Sequence, residues 1–495
     1  MKRKSDLYHL INAMSKSEKR YFTVDVQKSN KKGSRYLELF HLITGMEDYD
    51  EKELKEKFGS NLPHDKRYLY DAILRSMRDY RSSNSFSAQI REMILDARYL
   101  FERELYDQCA TRLENAKELA IELDEQPAIL EIIKEERRLV LDVRKPDFDK
   151  KLKLRARESE QVIEKIKEEL FYQNLYETLL TEVVRHLELK TEKDKVNLKK
   201  KFEPVLLAEP PQSNRALRRY YQCIALFNQL LGEQEEVFKN YSEVVDWWER
   251  NPKYKEEEFY RYIVDTSNLL HAYTSNGKFN LLPGVLEKME NYSPRKLHDK
   301  GVVFQKMAIY KLMYHLNTGD ISGVSSLIQQ IDKGFSQFTL KTESRLVIMF
   351  NISALLFIME DMEKCNYWCV RIVKKETTKA RLDIQRAASI LYLFTEIDTD
   401  DPEVTEKSIR AVRRTLKTLG INDRNVFESE VLSHVNALNN APLSEWKDTL
   451  KKFKSYLLEL KTSGRKIPLG TNELLLYWVN AKLERKSIKQ LLGWE

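Results

Sequence analysis

At 495 residues the chain is too long for one ordinary core, so it must form several domains or one extended repeat array. Apolar residues make up 42% and charged residues 33%, while 14 glycines and 12 prolines are too few for a turn-rich β architecture, so the expected class is all-α. The formal charge is +7, and residues 1–35 hold ten lysines and arginines against three acids, so the whole excess is local and the remainder is balanced.

Residues 1–85 read as a small N-terminal helical domain. One short helix begins near Asp6, and Ser15 with Glu18 forms a capping-box pattern that opens a second. A third helix covers 35–44. Asp50 with Glu53 repeats the capping signature, and a glycine-containing turn leads into a long helix over 64–80. A short helix, a glycine turn and a longer basic helix have the outline of a helix-turn-helix. Together with the local charge, that makes Lys28, Lys31, Lys32, Arg35, Lys66 and Arg67 candidate contacts to nucleic-acid phosphate. The plainer reading is a solvated helical cap. The basic N-terminus lacks an adequate apolar stretch and a cleavage site, so a cytoplasmic protein is expected.

From 86 to 378 a turn signature recurs. It starts at Glu104, Pro146, Lys190, Gly232, Gly277, Gly319 and Glu360, at intervals of 41–45 residues. A period near 42 predicts a right-handed α-solenoid of antiparallel helix pairs. The most apolar pair lies at 345–375. Its first helix holds a nearly unbroken apolar run over 346–359, too short to span a bilayer. Its second helix places Cys365, Trp368, Cys369 and Ile372 on one face. Cys109 repeats the place of Cys365, where a small side chain lets paired helices approach. Residues 379–495 read as further helix pairs and capping helices, with the last helix over 471–485 and the terminal LLGWE either docked on that cap or offered as a short apolar tail to a partner.

No phosphate-binding glycine loop, H-E-x-x-H or G-x-S-x-G motif is present, and the eight histidines are scattered. The four cysteines suggest neither a disulfide framework nor a metal site. Acidic pairs such as Glu135 and Glu136 read as solvated helix surface. No catalytic residue, cofactor or metal is therefore expected, and the chain is read as a non-enzyme.

The turn patterns ELYDQC at 104–109 and EDMEKC at 360–365, each between helices, resemble those of tetratricopeptide-like (TPR-like) repeat proteins. That resemblance covers about 89–375. The stretches SKSEKRYF at 15–22 and RYLYDAILRSMRDY at 67–80 resemble the N-terminal signature of an uncharacterised bacterial group of such proteins, which lends no established activity. The plan is also similar to that of peptide-sensing bacterial regulators, which join a helical effector domain to about seven long repeats. Their peptide-contacting asparagines do not transfer to positions in this chain. The resemblance implies a noncatalytic scaffold that binds a peptide or protein partner in the groove of a helical array. The alternative is a regulator whose basic N-terminal domain binds nucleic acid while the repeats sense a ligand. Neither partner-binding residues nor the oligomeric state follow from the sequence.

Overall fold

A computed structural model describes residues 5–28, 35–46, 48–82, 85–294, 297–375, 381–397, 402–419, 427–462 and 467–494. Every regular element among them is helical, and most consecutive helices pack side by side. The chain divides between Phe259 and Tyr260 into two compact units.

The first unit begins with α1 Asp6–Ala13, α2 Lys16–Lys28, α3 Arg35–Gly45, α4 Glu51–Phe58 and α5 Leu62–Ser82, the last two separated by a 3-10 turn at Gly59–Asn61. The caps are those the sequence announces. The Glu18 amide donates to Ser15 Oγ (3.2 Å) while the Ser15 amide donates to Glu18 Oε2 (2.8 Å), and Asp50 accepts from the amides of Lys52 and Glu53. Leu7, Ile11, Phe22, Phe40, Ile43, Leu54, Leu69 and Ile73 form a core of their own, because each of these short helices has one apolar stripe and all of them point inward.

Next come α6 Phe86–Glu102, α7 Tyr106–Glu122, α8 Gln126–Val143, α9 Phe148–His186, α10 Glu192–Leu206, α11 Asn214–Leu231, α12 Gln234–Arg250 and α13 Pro252–Glu257. Helix α9 runs unbroken for 39 residues without a glycine or proline. Its first half packs on α8 and its second half on α11, so it serves two successive pairs with no turn between them.

The second unit follows from α14 Phe259–Ser275, whose first residue ends the first unit. It continues with α15 Leu282–Glu290, α16 Leu297–Thr318, α17 Val324–Gln337, α18 Thr342–Ile358 and α19 Met362–Val370, which runs on as a π-turn over 371–375. It closes with α20 Leu382–Ile397, α21 Pro402–Thr418, α22 Phe427–Asn440, α23 Leu443–Thr462, α24 Thr471–Glu484 and α25 Ile488–Leu492. One core runs from Leu312 through Leu355, Phe394 and Val435 to Trp478, so residues on both sides of 378 share it. The apolar α18 is enclosed by α16, α19 and α20 and also by the distant α24. The C-terminal segment docks, but on turns of the same unit. The Ile488 amide donates to Glu360 Oε2 (3.2 Å), and the Trp494 ring fills the space a Cβ would need at Gly319.

A left-handed residue ends the helix at each recurring turn: Glu104, Arg144, Leu187, Gly232, Gly277, Gly319 and Glu360 all have positive φ. This conformation frees the chain to reverse and is the usual close of a helix. It explains why glycine stands at three of the seven places. Cys109 and Cys365 sit at matching places in α7 and α19, and all four cysteines are buried and free. The Cys369 thiol, and after it burial, push the Cys365 thiol well above its usual range. Cys365→Ala is expected to keep the fold at a cost of about 1 kcal/mol. In the unmutated protein, native-state titration with a thiol reagent should leave Cys365 unlabelled, and rapid labelling would contradict this packing.

Candidate functional site

The N-terminal basic residues do not act alike. Lys28 is exposed at the end of α2, and Arg67 is exposed on α5. Lys66, one position away, is buried. Its ammonium lies 2.7 Å from Glu51 Oε2 and 2.5 Å from the Tyr49 hydroxyl, so it ties α5 to α4. Burial opposes the Glu51 charge, but Lys66 and Tyr49 outweigh it and hold the carboxyl below its usual range, while burial and then Glu51 push the Tyr49 phenol up. Arg35 Nε donates to Asp65 Oδ2 (2.8 Å), and its guanidinium also reaches the Phe58 carbonyl. Lys31 and Lys32 lie outside the described residues. Arg75 and Arg78, not singled out above, join Arg67 on the outer face of α5. The three make no ion pair among the described residues.

The more developed feature lies between α7 and α9, over α8. It is a groove of about 460 Å³. Helix α7 lines it along its whole length because positions 106, 110, 113, 117 and 121 repeat at helical spacing. The C-terminal turns of α8 supply Leu139, Val140 and Val143, and the start of α9 supplies Phe148. Leu113 is buried beneath, whereas Ile121 and Phe148 stand exposed at the rim.

An ionic quartet crosses this apolar surface. Lys117 Nζ lies 3.0 Å from Glu136 Oε2 and 2.8 Å from Glu158 Oε2. Arg155 meets the same two carboxylates at 2.8 and 3.0 Å. Burial opposes ionisation of Glu158, but Lys117 and then Arg155 outweigh it and keep its carboxyl below the usual range. Two cations and two carboxylates balance in charge and tie α7, α8 and α9 together, although Arg155 Nε is buried without a hydrogen bond among the described residues. The reading of Glu135 and Glu136 as plain solvated surface is thereby corrected. Glu136 belongs to the quartet, and Glu135 holds Arg98 of α6 at 2.8 Å. Elsewhere on the rim Lys145 pairs with Asp107 (3.8 Å) and Lys151 with Asp147 (2.9 Å). Glu114 and Glu118 remain. Both are exposed on the α7 wall, one turn apart, and neither makes an ion pair among the described residues.

A second groove, of about 400 Å³, has the same plan in the other unit, where α15 and α17 flank α16. Lys311 pairs with Glu290 at 3.1 Å, and Glu287 on the α15 wall has no ion pair among the described residues.

Also in the first unit, carboxylates gather at the start of α11. Glu168 Oε2 accepts the amides of Gln212 (3.0 Å) and Ser213 (2.9 Å), and Ser213 Oγ donates to Glu169 Oε1 (2.9 Å). Arg215 Nη2 reaches Glu125 at 2.7 Å. Burial pushes the Glu169 carboxyl up to about 7. Ser213 and Arg215 oppose that shift, while Asp124 and Glu125 add to it. An unfolded glutamate releases its proton near 4.5. Folding therefore favours the protonated form, and this contribution to stability is complete below about 4.5 and is lost as pH rises through about 7. Glu169→Gln is expected to remove that slope and to stabilise the protein at pH 8 by about 1–2 kcal/mol, discounted because the carboxyl keeps some solvent access. Urea titrations at pH 5 and pH 8 check it, and an equal pH slope in both proteins would refute it.

Among the described residues no three His, Cys, Asp or Glu side chains gather as metal ligands, and no helix is long and apolar enough to cross a membrane. Comparisons with protein-family models, with curated proteins and with solved structures found no match to the chain.

Sequence reasoning placed the pairs but not the groove, which needs three helices to converge. A local sign was available: Glu114 and Glu118 are like charges four apart, an arrangement that helices disfavour unless something offsets it.

Proposed function

We propose that the protein is a noncatalytic interaction scaffold. In this reading the helix pairs form a right-handed TPR-like solenoid with a repeat of about 42 residues, of the kind found in the resembling bacterial group and working in the cytoplasm. Its binding site is the groove between α7 and α9, which takes a peptide or helix of a protein partner. The observation that carries the proposal is the groove itself: an apolar surface left open to solvent, with a charge-balanced ionic quartet joining its three helices. Rigid walls reduce the ordering that binding must impose.

Site-specific photo-crosslinking tests the reading. A photoreactive amino acid at Ile121, on the groove rim, is expected to capture a discrete set of proteins in native cytosol. The same group at Leu95, exposed on α6, should not capture that set. No adduct at Ile121, or identical adducts at both positions, would reject the groove as the site.

The three exposed arginines on α5, without an ion pair among the described residues, favour a second reading, a regulator whose N-terminal domain contacts nucleic acid while the repeats sense a ligand or peptide. It requires salt-sensitive binding that Arg67→Glu, Arg75→Glu and Arg78→Glu together abolish. A mobility-shift assay on the full chain at low salt decides, and absence of binding by the unmutated protein ends this reading.

A further inference from the structure

We infer that the α7–α9 groove selects a basic amphipathic helix, one whose apolar side chains enter the groove while lysines or arginines one turn apart meet Glu114 and Glu118. The inference rests on the scaffold reading and adds the chemistry of the partner. Charge accounting on the walls carries it. Lys117, Arg155, Lys145 and Lys151 all have carboxylate partners within 4 Å, so among the described residues no groove cation lacks one, though the Lys145 pair is exposed and loose at 3.8 Å. The free charges are both negative, and both stand on α7. Their spacing of four residues places them about 6 Å apart along the helix axis. A helix lying alongside α7 presents side chains at i and i+4 with the same rise, so two cations on one of its edges match both carboxylates at once. An extended strand sets residues i and i+2 on one side about 6.6 Å apart, a near match as well, so helix formation by the bound peptide is what separates the two conformations.

The apolar part fits the same occupant. Ala110, Leu139, Val140 and Val143 leave a depression between the walls, with Ile121 and Phe148 exposed at its rim. A depression of about 460 Å³ holds several side chains but not a whole helix, so the helix would seat one face and leave the other in solvent. Rim charges of this kind set orientation and partner choice more than affinity, as flanking charges do in coiled coils. The second unit repeats the arrangement, with the cation Lys311 paired and Glu287, on the wall formed by α15, without an ion pair among the described residues.

The test selects from a display library of random 16-residue peptides on the full chain. Groove-dependent clones are those that lose binding to Ile121→Asp, a substitution at an exposed position. They are synthesised and titrated by fluorescence anisotropy. Groove-dependent peptides are expected to be net basic, to become helical on binding, and to carry Lys or Arg at i and i+4 beside an apolar face. The double variant Glu114→Lys with Glu118→Lys should weaken them at least tenfold, and Glu114→Gln with Glu118→Gln should fall between. Unchanged circular dichroism and melting confirm that the variants are folded. Groove-dependent peptides that are neutral or acidic, or that bind the double lysine variant within twofold, overturn the inference while leaving the groove as a binding site. A selection that yields no groove-dependent peptide also overturns it, and the crosslink at Ile121 then tells whether the scaffold reading falls as well.

Discussion

Replacing Trp478 with alanine is expected to destabilise the second unit by about 3–5 kcal/mol, the usual cost of removing a large buried aromatic. Trp478 is 1% exposed on α24, more than a hundred residues from the apolar α18 that its helix helps to cover. Its ring meets Phe394 of α20 edge to face at 5.0 Å, a geometry worth about 0.5–1.5 kcal/mol beyond simple burial. The cavity left by alanine would open at the meeting of α18, α20 and α24, where little can collapse to fill it. The indole N–H is buried with no hydrogen-bond partner among the described residues, so packing holds the side chain, with the Lys482 ammonium 5.6 Å from the ring centre. That makes Trp478→Phe informative. It removes some volume but also a buried unpaired donor, and the net loss should stay under about 1.5 kcal/mol. Urea unfolding followed by intrinsic fluorescence reads both, since Trp368, Trp446 and Trp494 remain in both variants and report on this unit. A loss below about 1 kcal/mol for the alanine variant would show that α24 does not close the core.

The role of α24 also marks where sequence reading stopped. The local features were legible because their causes are local. Ser15 and Glu18 cap α2 through neighbouring backbone amides, and the recurring turns stand out because a left-handed residue ends a helix at each of them. The continuity of α9 was harder to see, since it consists of a missing turn rather than a present one. Closure of α24 over α18 joins segments far apart in the chain, and no periodicity records it. Burial at single positions was subtler still. Lys66 and Arg67 are adjacent and both basic, yet a rotation of about 100° around α5 sends one into an ion pair with Glu51 and leaves the other in solvent. The candidate site was least legible of all. Lys117, Glu136, Arg155 and Glu158 come from three helices, and Glu114 and Glu118 acquire meaning only after those four charges have neutralised one another.

The second large effect concerns a charge rather than a ring. Arg386→Ala is expected to cost about 3–5 kcal/mol, because it strands a carboxylate in the interior. Glu428, on α22, is 1% exposed, and both its oxygens accept from Arg386 of α20, Nε to Oε1 and Nη2 to Oε2, each at 2.7 Å. The two-pronged geometry fixes the separation and rotation of the two helices together. Exposed pairs such as Lys153 with Asp149 do no comparable work, since water screens them and their expected contribution is below about 1 kcal/mol. The pair itself need not be net stabilising, because both charges were taken out of water to form it. Replacing both with leucine is therefore expected to cost much less than Arg386→Ala alone, giving a coupling energy of several kcal/mol in a double-mutant cycle. Urea denaturation of the four proteins measures it. A loss under about 1 kcal/mol for Arg386→Ala would mean that water reaches Glu428 and that the pair behaves like those on the surface. A leucine pair as costly as the single variant would instead show that the fork holds α20 and α22 in register in a way that apolar packing cannot replace.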